Sequence, residues 1–314
     1  MERGRLKLFT GTANAALAER VCNRLAQPVG ACRVERFPDG EIDVKIEDDI
    51  RGADVFFIQS TCPPVNDSLI ELLLMIDAAR RASADRVTAV IPYFGYARKD
   101  RKDEGRVPIS ARLVANMIEA AGADRVLTID LHAAQIQGFF NIPVDHLYAS
   151  PVITRYFRDK DIPDLTIVAP DVGRSKVARG YAKRLNAGLA IVDKRRVDAT
   201  STEVMDMIGS VEGRNVLIID DMIATGGTIL DAAKACRNFG AKKVYVACTH
   251  AIFCGPAVER LSNPVIDEVI ACDTVPTEHK GFASLKVLSV SELLAEAVRS
   301  IHYSESVSRL FKNV

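Results

Sequence analysis

The chain has 314 residues, of which 41 are basic and 41 acidic, so its formal net charge is zero. A balanced charge provides no global field for nucleic acid or an anionic membrane surface, and no apolar run approaches the roughly 18 residues of a membrane span. With 48% apolar and 26% charged residues, the composition is that of a globular protein of about two domains, large enough to bury its core without cross-links.

The first residues, Met1-Glu-Arg-Gly-Arg-Leu-Lys, lack the apolar stretch of a signal peptide. Seven cysteines at 22, 32, 62, 236, 248, 254 and 272 are odd in number, and no two have C-x-x-C spacing. They read as buried free thiols in a reducing compartment, and the expected location is the cytoplasm.

In chain order, strands are expected at Asp54–Gln59, Arg86–Pro92, Asp124–Asp130, Leu165–Pro170, Leu189–Asp193, Asn215–Asp220, Lys243–Thr249 and Glu268–Cys272. Several are unbroken apolar runs, as in strands covered on both faces. Helical patterns lie between them. Asp67–Ala82 is the strongest, with Asn66 or Asp67 as its N-cap. Ile109–Ala121 stops before Gly122 and Thr228–Phe239 before Gly240, glycine being the usual residue just past a helix end. The segment from Ser291 starts as an amphipathic helix.

One joint recurs from helix end to strand: Ala84-Asp-Arg-Val87, Ala123-Asp-Arg-Val126 and Ala241-Lys-Lys-Val244. Alternating strand and helix predicts an α/β fold with mainly parallel sheets. Two doubly wound domains are expected, 1–147 and 148–314, with the boundary near Asn141–Pro151.

The most informative segment is Val216-Leu-Ile-Ile-Asp220-Asp221-Met-Ile-Ala224-Thr225-Gly226-Gly227-Thr228. A buried strand ends in two carboxylates, a loop with paired glycines follows, and a helix starts. Helix N-terminal N–H groups and a glycine backbone cradle phosphate, and the acids suit vicinal sugar hydroxyls or a bound Mg²⁺. The bland alternative is an ordinary strand–turn–helix. The ordered set of Asp-Asp, Thr-Gly-Gly-Thr and helix outweighs it and resembles the loop that binds phosphoribosyl pyrophosphate (PRPP) in type I phosphoribosyltransferases and PRPP synthetases.

Further segments follow in order: Phe37-Pro-Asp39-Gly40-Glu41, Ser60-Thr-Cys-Pro-Pro-Val-Asn66, Ile91-Pro-Tyr-Phe-Gly-Tyr-Ala-Arg98-Lys99, Thr128-Ile-Asp-Leu-His132, Ala169-Pro-Asp171-Val-Gly173 and Val192-Asp-Lys194-Arg-Arg196. Together they resemble the ribose-phosphate pyrophosphokinase family from Phe9 to Phe311. A phosphoribosyltransferase would share the phosphate loop but not the N-terminal half.

The resemblance implies a type I phosphoribosyltransferase-like fold whose active site lies between the two domains. It implies PRPP formation from ribose 5-phosphate and ATP, with Mg²⁺ as cofactor. It places ATP on Phe37, Asp39, Gly40 and Glu41, a loop contributed by a neighbouring subunit, and on Arg98 and Lys99, where the family usually has Gln at 99. It places ribose 5-phosphate on Arg196, Asp220, Asp221, Ala224, Thr225, Gly226, Gly227 and Thr228. Metal ligands follow at His132 and Asp171, and catalysis at Lys194 with Arg196 on a mobile lid. A homo-oligomer, commonly a hexamer, is implied, with no nucleic-acid or membrane partner. Allosteric control by phosphate and ADP would involve Lys102, Ser306 and Ser308.

Each position also has a plainer reading. Pro-Asp-Gly is turn chemistry, and the charge run from Arg98 to Arg106 suits a solvated loop. A lone histidine is more often structural, and Asp171 suits a helix cap. The polar stretch after Lys194 suits a surface hairpin. Many family members carry an acid where this chain has Ala224. That departure keeps open a catalytically silent regulatory subunit, and a phosphoribosyltransferase is the other alternative.

Overall fold

A computed structural model describes residues 4–196 and 203–311; within these ranges the side chains of 194–196, 203–205 and 311 are not part of the description. The chain divides into two compact units. The first runs through Tyr148 and takes in Thr274–Pro276 and the segment from Ser289; the second comprises Ala149–Asp273 and Thr277–Leu288. The division at 148/149 lies beside the expected boundary. The C-terminal segment differs from expectation, because it folds with the first unit.

In the first unit the elements are β1 (Leu6–Thr10), α1 (Ala15–Arg24), β2 (Cys32–Arg36), β3 (Ile42–Ile46), β4 (Asp54–Ile58), α2 (Val65–Arg81), β5 (Arg86–Ile91), α3 (Ser110–Ala121), β6 (Arg125–Ile129) and β7 (Val144–Leu147). Its sheet is parallel throughout, in the order β1-β4-β5-β6-β7, while β2 and β3 form a separate antiparallel ribbon. Every residue of β4 is buried, the apolar run Val55–Ile58 and Asp54 before it. Phe9, Phe57, Leu72, Met75, Ile76, Ile91 and Ile118 share one core.

The second unit contains α4 (Ser150–Lys160), β8 (Leu165–Ala169), α5 (Ser175–Leu185), β9 (Gly188–Arg196), β10 (Glu203–Ile208), β11 (Asn215–Ile223), α6 (Gly227–Asn238), β12 (Lys243–Ala251), α7 (Ala257–Leu261), β13 (Glu268–Cys272) and β14 (Leu285–Leu288). Its seven-stranded sheet has the order β10-β9-β8-β11-β12-β13-β14, parallel except for the β9–β10 hairpin. The strand order reverses between β8 and β11. Val168, Ile218, Ile229, Val246, Cys248 and Val269 belong to its core.

All eight expected strands are present, and all eight are interior to the two sheets. The strands not expected are the four sheet edges, β1, β7, β10 and β14, and the β2–β3 ribbon. The edge strands are only partly buried, so no continuous apolar run marks them. Gly122 and Gly240 both take positive φ, at 108° and 85°. The expected side-chain cap of α2 is not formed. Pro64 occupies the N-cap, Asn66 accepts from the Tyr96 hydroxyl, and Asp67 pairs with Arg36 at 2.6 Å. All seven cysteines are free, Cys254 being exposed and Cys32 half-buried. Among the described residues no helix is long and apolar enough to cross a membrane.

The recurring joint has a physical basis. Its second residue donates its backbone N–H to a carbonyl one strand over: Asp85 to Ala53, Asp124 to Val87 and Lys242 to Arg214. Asp267 does the same to Val244, making Ile266-Asp-Glu-Val269 a fourth copy. The Asp124 and Asp267 carboxylates then accept the N–H of Val87 and Val244 at 2.8 and 2.7 Å.

The helix Ser291–His302 is fastened to the first unit by a buried carboxylate. Asp54 accepts from Arg86 Nε and Nη2 at 2.8 and 2.6 Å and lies 2.7 Å from His302 Nδ1. Arg86 also donates to the Ile301 carbonyl at 3.1 Å. Removing one partner of a buried pair leaves the other's charge uncompensated and costs about 3 kcal/mol or more. Asp54→Ala is expected to lower the unfolding free energy by that amount and to expose the Ser291–His302 amides to hydrogen exchange. Wild-type protection in that helix would show that Asp54 does not hold it.

Candidate active site at a strand-order reversal

Strands β8 and β11 are hydrogen-bonded neighbours, Leu165 to Val168 facing Asn215 to Ile218. From β8 the chain moves outward to β9; from β11 it moves the other way, to β12. The segments leaving their carboxyl ends therefore diverge, which opens the crevice where parallel α/β sheets bind ligands. From β8 come Asp171 and a short 3-10 turn, Val172–Arg174. At the end of β11, Val216–Ile219 are buried and then Asp220, Asp221 and the loop 224–226 emerge before α6.

That loop is oriented by its carbonyls. Ile223 O accepts from Phe253 N at 3.0 Å, Ala224 O from Cys254 N at 2.9 Å, and Thr225 O from Arg260 Nη1 at 3.0 Å. A trans peptide points its N–H opposite to its C=O. With three successive carbonyls turned toward residues 253–260, the N–H groups of Ala224, Thr225 and Gly226 are turned the other way, as a row of donors. Such a row accommodates an anion. Gly226 closes the row with φ of 73°, a conformation that costs any other L-residue roughly 1–2 kcal/mol. No described side chain caps α6, whose first-turn N–H groups extend the donor set. Arg260 lies against the same turn, and a Cβ at Gly227 would stand 3.3 Å from its Nη1.

Beside this anion-seeking row stand two acids. Asp220 and Asp221 have side chains 14% and 9% exposed, and both pair with Arg174, through Nε at 2.9 Å and Nη2 at 2.5 Å. Burial first, and the neighbouring Asp221 second, push the Asp220 carboxyl well above the usual carboxylate range, with Arg174 opposing them. Asp220 faces Cys248 across the β11–β12 ladder, and the Cys248 thiol is pushed up by its own burial and then by both acids. Asp171 caps the turn below, its Oδ1 accepting from Arg174 N at 3.1 Å. The cap role expected from sequence is thus present.

In the first unit the expected residues also emerge at carboxyl ends. Arg98 and Lys99 follow β5 and His132 follows β6, its neighbour. Gln135 Nε2 donates to Asp100 Oδ2 at 2.7 Å across the two loops. The aromatic turn before Arg98 is held where Gly95 N donates to Thr61 Oγ1 at 2.6 Å; a Cβ there would meet Thr61 O at 2.4 Å. Lys99 is paired with Asp103 at 2.7 Å. Residues 37–41 form the turn of the β2–β3 ribbon. Gly40 N donates to Phe37 O at 2.9 Å and Glu41 N to Asp39 Oδ1 at 3.1 Å. The side chains of Phe37, Asp39 and Glu41 are exposed. An open groove of about 340 Å³ runs between Gly40 and Glu41 on one side and Asn66 and Asp67 on the other.

The fold thus brings together Asp171, Asp220, Asp221 and the 224–228 loop in the second unit. His132 belongs to the first unit. Lys194 and Arg196 lie on β9, which pairs antiparallel with β10; their side chains, and residues 197–202, lie outside the described residues. Sequence reasoning missed Arg174 and Arg260, which no motif marks. Among the described residues no three His, Cys, Asp or Glu side chains gather as a metal cage. The available oxygen donors instead fit Mg²⁺, which is typically held by one or two carboxylates plus substrate phosphates.

Parallel sheet, strand-order reversal and a donor row at that reversal define a phosphoribosyltransferase-like α/β protein. Comparison narrows the class. A family model for the N-terminal domain of ribose phosphate pyrophosphokinase matches residues 6–122, and one for a phosphoribosyl synthetase-associated domain matches 196–312. A ribose-phosphate pyrophosphokinase of Rhodopirellula baltica is 55% identical over 311 residues, covering 98% of both chains. One from Clostridium perfringens is 51% identical over 312 residues, again 98% of both. The crystal structure of phosphoribosylpyrophosphate synthetase from Mycobacterium smegmatis matches with a TM-score of 0.91 at 43% identity, covering 96% of this chain and 99% of that one. The chain belongs to the ribose-phosphate pyrophosphokinase family.

The raised Asp220 pKa has a stability consequence. A carboxyl that binds its proton more tightly when folded makes the folded state lose stability as pH rises through the interval above its unfolded pKa, about 4. Asp220→Asn removes that loss. The ligand-free variant is expected to melt above wild type at pH 7–8, the difference closing toward pH 4 in a thermal melt series. A variant that melts below wild type at neutral pH would mean the Arg174 attraction outweighs burial and Asp221.

Proposed function

We propose that this chain forms 5-phospho-α-D-ribose 1-diphosphate from ribose 5-phosphate and ATP, transferring the β,γ-pyrophosphoryl group intact and releasing AMP, for nucleotide biosynthesis. The observation that carries this reading is the relationship to ribose-phosphate pyrophosphokinases over 98% of both chains, because a shared phosphate loop alone would not extend into the N-terminal unit.

The 5-phosphate is received by the N–H row of residues 224–226 and the start of α6, with Thr225 and Thr228 adding hydroxyl donors. Asp220 and Asp221 accept hydrogen bonds from the ribose hydroxyls. The anomeric hydroxyl oxygen attacks the β-phosphorus of ATP and releases its proton to solvent. As its bond to phosphorus forms, the bond to the α–β bridging oxygen breaks, and that electron pair leaves with AMP. Positioning and charge compensation supply most of such catalysis. Lys194 and Arg196 meet the charge that develops on the transferred group and leaving phosphate. ATP is held by Arg98 and Lys99 and by Phe37, Asp39, Gly40 and Glu41 of a neighbouring subunit. Asp171 and His132 would hold Mg²⁺, which neutralises polyphosphate charge when bound. The same reading carries a cytoplasmic homo-oligomer, a hexamer by family resemblance, under allosteric control.

The test mixes purified protein, Mg–ATP and ribose 5-phosphate and follows products by phosphorus NMR. AMP appearing in step with the diphosphate ester is expected. ADP would overturn intact pyrophosphoryl transfer, and no turnover by a folded, ATP-binding chain would favour a regulatory subunit. Lys194→Ala is expected to lower kcat about 10²–10³-fold with a much smaller change in KM; near-wild-type kcat would remove Lys194 from the catalytic role.

A further inference from the structure

Arg174 makes the contacts of a site component although no motif marks it. It ends the Val172–Arg174 turn, where the Asp171 carboxylate fixes its backbone N–H. Its side chain is only 17% exposed and gives one nitrogen to each of two adjacent acids, Nε to Asp220 Oδ1 and Nη2 to Asp221 Oδ1. The same Oδ1 atoms accept the backbone N–H of Asp221 and Met222, both at 2.8 Å. Guanidinium and backbone thus hold both carboxylates, which fixes their side-chain rotamers.

We propose that Arg174 is a positioning residue for sugar recognition: by bridging Asp220 and Asp221 it holds the two carboxylates in one orientation for the hydroxyls of ribose 5-phosphate. This rests on the function proposed above. Arg174 need not touch the sugar. A planar, permanently charged fork can serve two carboxylates at once, which the single ammonium of lysine cannot reproduce. Two like charges side by side would otherwise turn apart, and an acceptor pair with free rotamers pays ordering entropy each time a ligand binds. Arg174 meets that cost during folding. Its effect is therefore confined to the sugar: ATP contacts other residues and does not depend on this pair.

The test compares wild type with Arg174→Gln, Arg174→Lys and Arg174→Ala. Readouts are direct titration with ribose 5-phosphate, the KM values of both substrates, and thermal melting. Charge-assisted hydrogen bonds of this kind correspond to a rise of about ten- to a hundredfold in the ribose 5-phosphate dissociation constant of Arg174→Gln, with the KM for ATP unchanged. Arg174→Lys, which keeps the charge and so the fold, is expected to lie between. Millimolar guanidinium is expected to restore ribose 5-phosphate binding to Arg174→Ala. Wild-type affinity in Arg174→Gln or Arg174→Lys, an equal loss for both substrates, or a loss in kcat alone overturns the proposal. Wild type run alongside separates the two ideas: absence of AMP formation there would overturn the function itself, whereas an active wild type with indifferent variants would overturn only the role of Arg174.

Discussion

A trans peptide cannot aim its N–H and C=O in the same direction, and the site after β11 is built on that constraint. The segment 253–260 takes up the carbonyls of residues 223, 224 and 225, so the donors of the next three residues must face away from it. The parallel pairing of β11 with β12 makes this possible, because it delivers the end of β12 alongside the end of β11. Anion-receptive geometry is then a property of backbone and topology. What Ala224 contributes to the row is a peptide group, whatever its side chain.

The opposite demand comes from the two acids next to the row. An anion site gains from positive potential, yet Asp220 and Asp221 place negative charge at its edge in partly buried surroundings. Burial and mutual repulsion outweigh Arg174 at Asp220, so this strand end carries unfavourable electrostatics in the ligand-free chain. Sites that bind and orient commonly hold such local instability, and the rest of the fold offsets it. Here the offset is an eight-residue buried stretch of β12 on one side of β11 and β8 on the other, each fully apolar side chain contributing about 1.5–3 kcal/mol on burial.

The pattern of what could be read from sequence follows the same physics. Interior strands such as β4 and β12 are covered on both faces, so each carries an uninterrupted apolar run, Val55–Ile58 and Val244–Cys248, that stands out. Edge strands such as β7 and β14 are only partly buried and carry no comparable run, and their pairing was invisible. The loop at 224–228 was readable because its chemistry is contiguous. Arg174 and Arg260 were not, because they reach their partners from 46 or 47 and 35 positions away, and arginine on a helical or turn segment is ordinarily just solvated. The N-cap assigned to Asn66 or Asp67 failed for a related reason. Both are good capping residues, but Tyr96 and Arg36 compete for their oxygens, and Pro64, which needs no N–H partner, starts the helix instead.

Lys99 follows β5 on a segment without regular structure. Its ammonium pairs with Asp103 four residues on, and both side chains are about half exposed. An exposed pair of this kind is worth roughly 0.2–1 kcal/mol. That is small beside the attraction a polyphosphate would exert on a cation at the end of a buried parallel strand. The pair therefore does not lock Lys99 away from a ligand; it parks a flexible cation at low cost beside β5. Positions 224 and 99 thus differ in kind: the first contributes a peptide N–H to the donor row, the second a side-chain cation held weakly by Asp103.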